Sequence, residues 1–265
     1  MPRHLIYTIA LDHPPGARGH RTMAKMLVLS LLRSGFDGDI VVLKNSPDPL
    51  FLVARKGVRE VLIDVGDSGA LDYWDHVQAW KFRVHGLLDV RGYDKVMFLD
   101  ADHMALGDVT PLLEGNWDLG FYREPGTTIE HPNYHCFFSK SETRGCKDQG
   151  VNAGMFAVRA SRYHAVMKEW ERIFEGPAKR EKYFTDQAAL NRLIKDSSRR
   201  LRQFTRDEVA YPFSHDPLPQ KYFSAKLVHL AGSTDLNEKL RFMFGLYFNT
   251  YFFDPGALLM QMMEM

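Results

Sequence analysis

The fold of this chain is decided by the stretch YDKVMFLDAD, residues 93–102. Its centre, Val96 to Leu99, is a continuous apolar run typical of a strand buried on both faces. Asp100 and Asp102 follow at once, so two carboxylates project from the open end of that strand on the same side of the chain. Such hard oxygen ligands suit Mg²⁺ or Mn²⁺ shared with a substrate diphosphate. Two acids that merely end a strand in water would give the same pattern.

Runs of the same kind recur on either side of this stretch. Strand-like segments cover residues 5–10, 39–43, 58–65, 95–99, 151–158 and 227–230, and helical periodicity covers residues 20–33, 76–88, 161–174 and 186–194. Nearly continuous apolar strands alternating with helices predict an α/β protein with a mostly parallel sheet flanked by helices. Ligands of such sheets gather at the carboxyl ends of the strands. We therefore expect Thr8, Ala10 and Ala101 to line a nucleotide site.

The bulk composition is that of a water-soluble globular protein. Among 265 residues, 34 Lys and Arg stand against 33 Asp and Glu, for a net charge of +1. Nucleic-acid-binding proteins usually carry a basic excess because phosphate neutralisation supplies much of their affinity, so we expect no nucleic-acid partner. No stretch approaches the roughly 18 apolar residues of a membrane span. We expect no transmembrane segment and a cytoplasmic location.

Two regions depart from the alternating pattern. Residues 120–150 are polar and turn-rich and predict an excursion over the sheet. The end of the chain is aromatic and rich in methionine. We therefore predict one domain over residues 1–240 and a tail over residues 241–265. This tail has three interpretations: packing on the domain, a homodimer interface, or contact with a membrane that holds a lipid acceptor.

Five short motifs occur in one order along the chain. They are Trp80-Lys81-Phe82, Tyr93 to Asp102, Asn152-Ala153-Gly154, Thr185-Asp186-Gln187 with Asn191, and Val228-His229-Leu230-Ala231-Gly232. With these motifs, residues 5–235 resemble glycosyltransferase family 8, which includes glycogenin, galactinol synthase and bacterial lipopolysaccharide galactosyltransferases. The resemblance implies a single-domain GT-A fold. It also implies transfer of a sugar from a UDP-sugar, with retention of anomeric configuration, to a carbohydrate, protein or lipid acceptor.

The resemblance also implies a metal site. Asp100 and Asp102 would hold Mn²⁺, or Mg²⁺, against the donor diphosphate, and His229 would complete the protein ligands. An imidazole beside two carboxylates suits Mn²⁺ better than Ca²⁺, and the metal would stabilise the departing UDP. A histidine on a strand is otherwise a hydrogen-bonded core residue.

Further residues take roles from the resemblance. Lys81 would approach the donor, and Asn152, Gly154 and Gly232 would lie close to it. Asp186 and Gln187 would stand beside the anomeric carbon, and Asp148 would match an acid that contacts the sugar. Each has a plainer interpretation from the residues alone. Lys81 fits the surface of a helix, Asn152 to Gly154 fit an ordinary turn, and Asp186 fits a helix N-cap.

The chain departs from the family at two places. The family commonly continues from His-x-x-Gly into Lys-Pro-Trp, whose lysine contacts the diphosphate, whereas this chain continues with Ser233 to Lys239. Lys239 could supply that charge from a longer loop. The loop after the first strand has Asp12-His13-Pro14-Pro15 in place of the family's usual uridine contacts, so a requirement for uracil is less firmly implied than metal use.

Three other classes of protein compete with this interpretation. A phosphatase of the Asp-x-Asp type usually places its motif at the start of the chain and follows it with Gly-Thr, but here His103 follows. A nucleotidyltransferase would show a Gly-rich basic loop after the first strand. Residues 14–20 resemble such a loop only weakly. A non-catalytic binding protein would have no reason to keep Asp100, Asp102 and His229 together.

Overall fold

The computed structural model describes residues 3–11, 18–65, 73–124, 126–131, 134–147, 149–176, 185–213, 224–231 and 235–251. The described strands are β1 (His4–Ala10), β2 (Asp39–Lys44), β3 (Val58–Leu62), β4 (Lys95–Leu99), β5 (His103–Ala105), β6 (Leu119–Arg123), β7 (Val151–Arg159), β8 (Leu201–Phe204), β9 (Val209–Ala210) and β10 (Leu227–His229). The described helices are α1 (Gly19–Arg33), α2 (Tyr73–Arg83), α3 (Thr110–Leu113), α4 (Lys140–Thr143), α5 (Tyr163–Glu175), α6 (Thr185–Lys195) and α7 (Leu236–Tyr251).

Seven strands form the main sheet in the order β3-β2-β1-β4-β7-β6-β8. β1 pairs in parallel with β2 and β4, and β2 pairs in parallel with β3. β7 runs antiparallel to both β4 and β6, while β6 and β8 are parallel. Six of these strands therefore share one direction and only β7 opposes them. The predicted α/β class with a mostly parallel sheet is confirmed.

A smaller sheet of three strands, in the order β5-β10-β9, stands beside the main one. β10 pairs antiparallel with β5 and parallel with β9. Because β5 follows β4 after only three residues, this sheet begins at the carboxyl end of the central strand. It brings the chain around residue 229 back to the Asp100–Asp102 loop.

Alternate side chains of the strands supply a separate apolar core on each face of the main sheet. Along β1, Ile6 and Ala10 join a core with α1, α7 and the segment between β2 and β3. Leu5 and Tyr7 join the opposite core with α2, α5 and α6. This alternation follows from the twofold period of a strand buried on both sides.

The predicted excursion over residues 120–150 begins too early. Leu119–Arg123 is a strand of the main sheet, buried except at its last residue. Glycine is common in turns, but at position 120 it lies inside a strand. Packing requires a glycine there, since a Cβ atom would lie 2.8 Å from the Phe204 ring. The glycine lets β8 and its aromatic side chain pack close to β6.

The aromatic end of the chain contributes α7, which crosses the predicted boundary at residue 240. Met243, Leu246 and Tyr247 are buried in the core beside α1. The hydroxyl of Tyr251 donates to the carbonyl oxygens of Ser30 (3.0 Å) and Ala105 (2.8 Å). The described part of the tail thus packs on the domain. Among the described residues, no helix is both long enough and apolar enough to cross a membrane.

Candidate active site

The two aspartates of the motif leave β4 at its carboxyl end. The backbone N–H of Asp100 donates to the carbonyl oxygen of Gly154 on β7 (2.8 Å). The N–H of Leu230, just past β10, donates to the carbonyl oxygen of Asp102 (3.0 Å). Neighbouring strands therefore hold the backbone of the loop on both sides, which fixes the direction of its carboxylates.

The small sheet brings two histidines to this loop. His229 on β10 pairs in register with His103 on β5, and their rings stack with centroids 3.8 Å apart. The Nε2 atom of His229 lies 3.2 Å from Oδ1 of Asp102. The Nδ1 atom of His103 lies 3.0 Å from the carbonyl oxygen of Asp100. Both rings are almost fully buried.

These groups have the composition of a divalent cation site. One ligand atom from each of Asp102, His103 and His229 lies within 4.8 Å of the other two. In the described part of the chain, Nδ1 of His229 and Nε2 of His103 have no hydrogen-bond partner although both are buried. Buried polar atoms are normally satisfied, and a carboxylate with imidazole nitrogens suits Mn²⁺. The residues present therefore fit a divalent metal.

Lys81 connects this cluster to the start of α6. Its Nζ atom lies 2.8 Å from Oδ2 of Asp186 and 3.4 Å from Oδ2 of Asp100. The lysine comes from α2, and the hydroxyl of the buried Tyr7 donates to its carbonyl oxygen at 2.5 Å. The alternative placement of Lys81 on the helix surface is not observed, because its side chain is largely buried (13% exposed) against two carboxylates.

The first turn of α6 is joined to β7 by side-chain amides. Gln187 accepts from the backbone N–H of Ala153 (3.3 Å) and donates to the hydroxyl of Tyr134 (2.9 Å). Asn191 accepts from the N–H of Val151 (2.8 Å) and donates to its carbonyl oxygen (2.9 Å). Two amides of this motif, Gln187 and Asn191, thus attach α6 to β7 at the end of the sheet where Asp100 and Asp102 lie.

Gly154 lies at the centre of the arrangement. A Cβ atom there would fall 2.5 Å from Oδ2 of Asp100, 2.6 Å from Cε1 of His229 and 2.7 Å from Oδ1 of Asn152. No other residue type fits without moving these groups. Oδ1 of Asn152 accepts from the N–H of Gly154 (2.6 Å), and its Nδ2 donates to Glu124 (2.9 Å).

A second lysine reaches the site from α7. The Nζ atom of Lys239 lies 2.6 Å from Oδ2 of Asp102. The side chain of Leu236, one turn earlier on the same helix, lies against Gly19 at the start of α1. Packing of α7 on α1 therefore directs Lys239 to the aspartate.

Burial and neighbouring charges shift the pKa values of the ionisable groups in the site. Burial opposes ionisation of Asp102, but His229 and Lys239 outweigh it and hold its pKa well below the usual range. Burial raises the pKa of Asp100 despite the nearby Lys81. Burial also opposes the charge on Lys81, yet Asp100 and Asp186 outweigh it and raise its pKa. The pKa of His103 is lowered far below its usual value, first by burial. Lys81 is therefore a fixed cation and His103 a neutral ring.

The structure brings most of the predicted site residues to one edge of the sheet. The cluster contains Asp100, Ala101, Asp102, Lys81, Asn152, Gly154, Asp186, Gln187 and His229. Thr8 and Ala10 are buried near the carboxyl end of β1. Gly232 and Asp148 lie outside the described residues.

Sequence reasoning missed three residues of the cluster. His103 served only to argue against a phosphatase, although its place directly after the aspartates marked it as a neighbour of the site. Tyr134 and Glu124, which support Gln187 and Asn152, stand in no motif. They are found only when the sheet brings distant segments together.

A mostly parallel α/β sheet, with paired aspartates, a histidine and two half-buried lysines at its carboxyl edge, is typical of a nucleotide-sugar transferase of the GT-A type. The sequence profile of the nucleotide-diphospho-sugar transferase family matches residues 64–243. The chain belongs to this family and is a glycosyltransferase. The resemblance to glycosyltransferase family 8 is confirmed. No curated protein matches the chain.

Solved structures share the fold at low sequence identity. The galactosyltransferase LgtC, determined with donor and acceptor sugar analogues, is similar to this chain with a TM-score of 0.62 at 14% identity, over 92% of this chain and 95% of that one. Mouse xyloside xylosyltransferase 1 gives a TM-score of 0.58 at 12% identity, over 86% of this chain and 97% of that one. The bifunctional glycosyltransferase WbbM gives 0.56 at 14% identity, over 93% of this chain and 51% of that one.

Proposed function

We propose that this protein is a metal-dependent, retaining glycosyltransferase that takes its sugar from a UDP-sugar. One observation carries the proposal. Lys81 contacts both Asp100 and Asp186, so the candidate metal ligands and the first turn of α6 form one continuous site. Two separate sites, or a pair of acids ending a strand in water, would not need a buried lysine between them.

The metal ligands are Asp100, Asp102 and His229, with His103 stacked behind His229. The cation is Mn²⁺ or Mg²⁺. When bound, it supplies positive charge against the diphosphate of the departing nucleotide. The position of Nε2 of His229, 3.2 Å from Oδ1 of Asp102, supports this assignment.

Two lysines add fixed positive charge around the aspartates. Burial in a site of low dielectric strengthens their interaction with an anion. Lys81 is held from α2 and Lys239 from α7, so the charges come from opposite faces of the main sheet. Lys239 takes the place of the diphosphate lysine that the family carries after its His-x-x-Gly motif.

The donor occupies the carboxyl edge between β1, β4 and β7. Thr8, Ala10, Ala101 and Gly232 bind the nucleotide, and Asn152 with Gly154 approaches the sugar. Support comes from the bare backbone at Gly154, where any side chain would collide with Asp100 and His229. A glycine at this point lets Asp100 and His229, two of the candidate metal ligands, pack against the main chain of β7.

Retention is assigned to a route in which the acceptor arrives on the face from which UDP leaves. The bond from the anomeric carbon to the acceptor oxygen forms as the bond to the phosphate oxygen breaks, and the acceptor proton passes to the diphosphate. A glycosyl-enzyme on Asp186 is the alternative. The ion pair between Asp186 and Lys81 at 2.8 Å favours the first route, because it engages the carboxylate as a positioning group beside Gln187.

Turnover of a panel of UDP-sugars tests the proposal. With Mn²⁺ present, we expect UDP release from at least one donor, and a product whose anomeric configuration, determined by proton NMR, equals that of the donor. Replacing Asp186 with Asn should lower the rate by about a hundredfold, a typical effect of losing one charged group in an active site. Glu169→Gln, at a surface ion pair with Arg199, is the matched control. An inverted product, or no release from any donor, would refute the assignment.

A further inference from the structure

An ordered loop presents two adjacent apolar side chains to solvent. In the segment between β2 and β3, Phe51 is buried in the core, whereas Leu52 is 98% exposed and Val53 is 72% exposed. Isolated exposed apolar residues are common and need no explanation. Two adjacent ones at a loop tip, directly after a buried anchor, form a small apolar projection that polar residues could replace without loss of packing.

Hydrogen bonds hold the loop on the N-terminal side of its anchor, Phe51. The guanidinium of Arg21 on α1 donates to the carbonyl oxygens of Asp48 (2.9 Å) and Pro49 (3.1 Å). The N–H of Leu50 donates to the carboxylate of Glu60 (2.9 Å), which also pairs with Lys44 (2.5 Å). The segment that leads into the projection is therefore attached to α1 and to β3.

Basic side chains lie beside Phe51, the anchor of the projection. The Nζ atom of Lys25 lies 5.6 Å from the centroid of the Phe51 ring, and the guanidinium of Arg55 lies 5.8 Å from it. Lys56 follows and is exposed. A cavity of about 400 Å³ separates the loop from α1 and is lined by Arg18, Arg21, Lys25, Asp48, Leu50 and Leu52. This lining has three cations against one carboxylate, and Asp48 lies 3.8 Å from Arg21.

The second exposed apolar pair lies on the same side of the main sheet. Phe244 (42% exposed) and Phe248 (55% exposed) are one turn apart on α7. That helix packs on α1, and both contribute to the core that contains Phe51. Leu62, Leu87 and Leu201, the other exposed large apolar residues of the described chain, are isolated from one another in sequence.

We propose that the face formed by Arg18, Lys25, Leu52, Val53, Arg55 and Lys56 docks on an anionic lipid bilayer. Leu52 and Val53 enter the boundary between headgroups and acyl chains, and the cations contact lipid phosphates. Burial of apolar side chains, together with attraction of basic groups to anionic lipid, is the physical basis of interfacial binding. A bilayer fits better than a protein partner because the exposed apolar area is limited to Leu52 and Val53, while several cations lie beside it.

The face lies next to the catalytic edge. Arg18 immediately precedes α1, where Gly19 contacts Leu236, and Lys239 on the next turn of α7 reaches Asp102. Docking would therefore bring the donor site near the membrane surface. The inference does not depend on the donor or on the metal, since it concerns only the face.

Vesicle co-sedimentation without nucleotide or metal tests the inference. We expect binding to phosphatidylcholine vesicles that contain about 30% phosphatidylglycerol, little binding to phosphatidylcholine alone, and release at about 0.5 M salt, where the Debye length is only a few ångströms. The double variant Leu52→Ser with Val53→Ser should lower the partition coefficient at least about tenfold. Each charge removed, by Lys25→Gln or Lys56→Gln, should lower it about fivefold.

Leu62→Ser is the matched control, because Leu62 is a 60% exposed leucine on β3 outside the face, and it should bind as the parent protein does. Circular dichroism melting confirms that each variant is folded. The inference is wrong if the parent protein ignores anionic vesicles, or if the double variant binds as well as Leu62→Ser. It is also wrong if light scattering shows that the face instead joins two copies of the chain, with vesicle binding absent.

Discussion

At the scale of single residues, Gly154 is the most constrained position of the site. Gly154→Ala would place a methyl group 2.5 Å from Oδ2 of Asp100 and 2.6 Å from Cε1 of His229. Overpacking of this kind costs roughly 1–3 kcal/mol, so we expect Mn²⁺-dependent binding of UDP to weaken by about ten- to a hundredfold in a calorimetric titration. Gly86→Ala, where an added Cβ meets nothing within 4 Å, should bind normally. Equal binding by both variants would place the donor elsewhere.

Substitution of Lys239 is expected to affect the binding of the metal and the binding of the nucleotide differently. Its Nζ atom lies 2.6 Å from Asp102, where it competes with a cation in the free protein. Lys239→Met should therefore bind Mn²⁺ at least as tightly as the parent protein, measured by electron paramagnetic resonance. It should bind UDP about tenfold more weakly, because one charge-assisted contact worth roughly 1.5–3 kcal/mol is lost. Parallel loss of both affinities would show that the lysine only stabilises the loop.

At the scale of elements, one carboxylate joins three strands at the edge of the main sheet. Asp118 accepts from Arg200 (3.2 Å) and from Arg159 (2.9 Å). The pKa of Asp118 is lowered to about 2, and the hydrogen bond from Arg200 is the main cause. A depressed pKa stabilises the fold above the unfolded value, near 4, and this stability is lost as the pH falls from about 4 to about 2.

Asp118→Asn should therefore lower the free energy of unfolding by about 1 kcal/mol at neutral pH, since the arginines are partly exposed. The deficit relative to the parent protein should shrink below about pH 4. Urea denaturation at several pH values measures both quantities. A deficit that is unchanged at low pH would mean that shape, rather than charge, matters at this position.

The helix α7 is the element whose role the sequence left open among three interpretations. Near its end, the hydroxyl of Tyr251 is a hydrogen-bond donor to the carbonyl oxygens of Ser30 in α1 and Ala105 in β5. Tyr251→Phe leaves both without this donor and should cost about 1 kcal/mol of stability in thermal unfolding. Thr250→Val, in the same helix, is the control, because the Thr250 hydroxyl has no hydrogen-bond partner among the described residues. If the two variants melt together at the parent temperature, the contact of α7 with α1 contributes little.

At the scale of the whole molecule, the sequence predicted the sheet and its order of elements better than its edges. The strands around residues 5–10, 39–43, 95–99 and 151–158 were predictable because each is buried on both faces and therefore continuously apolar. β8 was not predictable, because Leu201 and Gln203 are exposed and Arg202 is half-buried, so that only Phe204 is buried. β6 was missed because it leads directly into the polar stretch that contains Pro125, Pro132 and Gly145, and was assigned to the same excursion.

The site was predictable as far as motifs extend. Asp100, Asp102 and His229 lie close together because β5 and β10 pair. The resemblance of the motifs to glycosyltransferase family 8 predicted this proximity. The burial of Lys81 was not predictable, since a helical lysine looks alike whether it faces solvent or two carboxylates. Nor was the stacking of His103 on His229, which arises from the register of two short strands.

The central claim is that Asp102 belongs to a metal-dependent nucleotide site. Titration of UDP into the protein by calorimetry, first with Mn²⁺ and then with EDTA, tests it most directly. We expect binding with Mn²⁺, at least about tenfold weaker binding with EDTA, and no measurable binding to Asp102→Asn, whereas the surface variant Asp37→Asn binds as the parent protein does. Tight binding of UDP that is indifferent to EDTA and to Asp102→Asn would contradict the account.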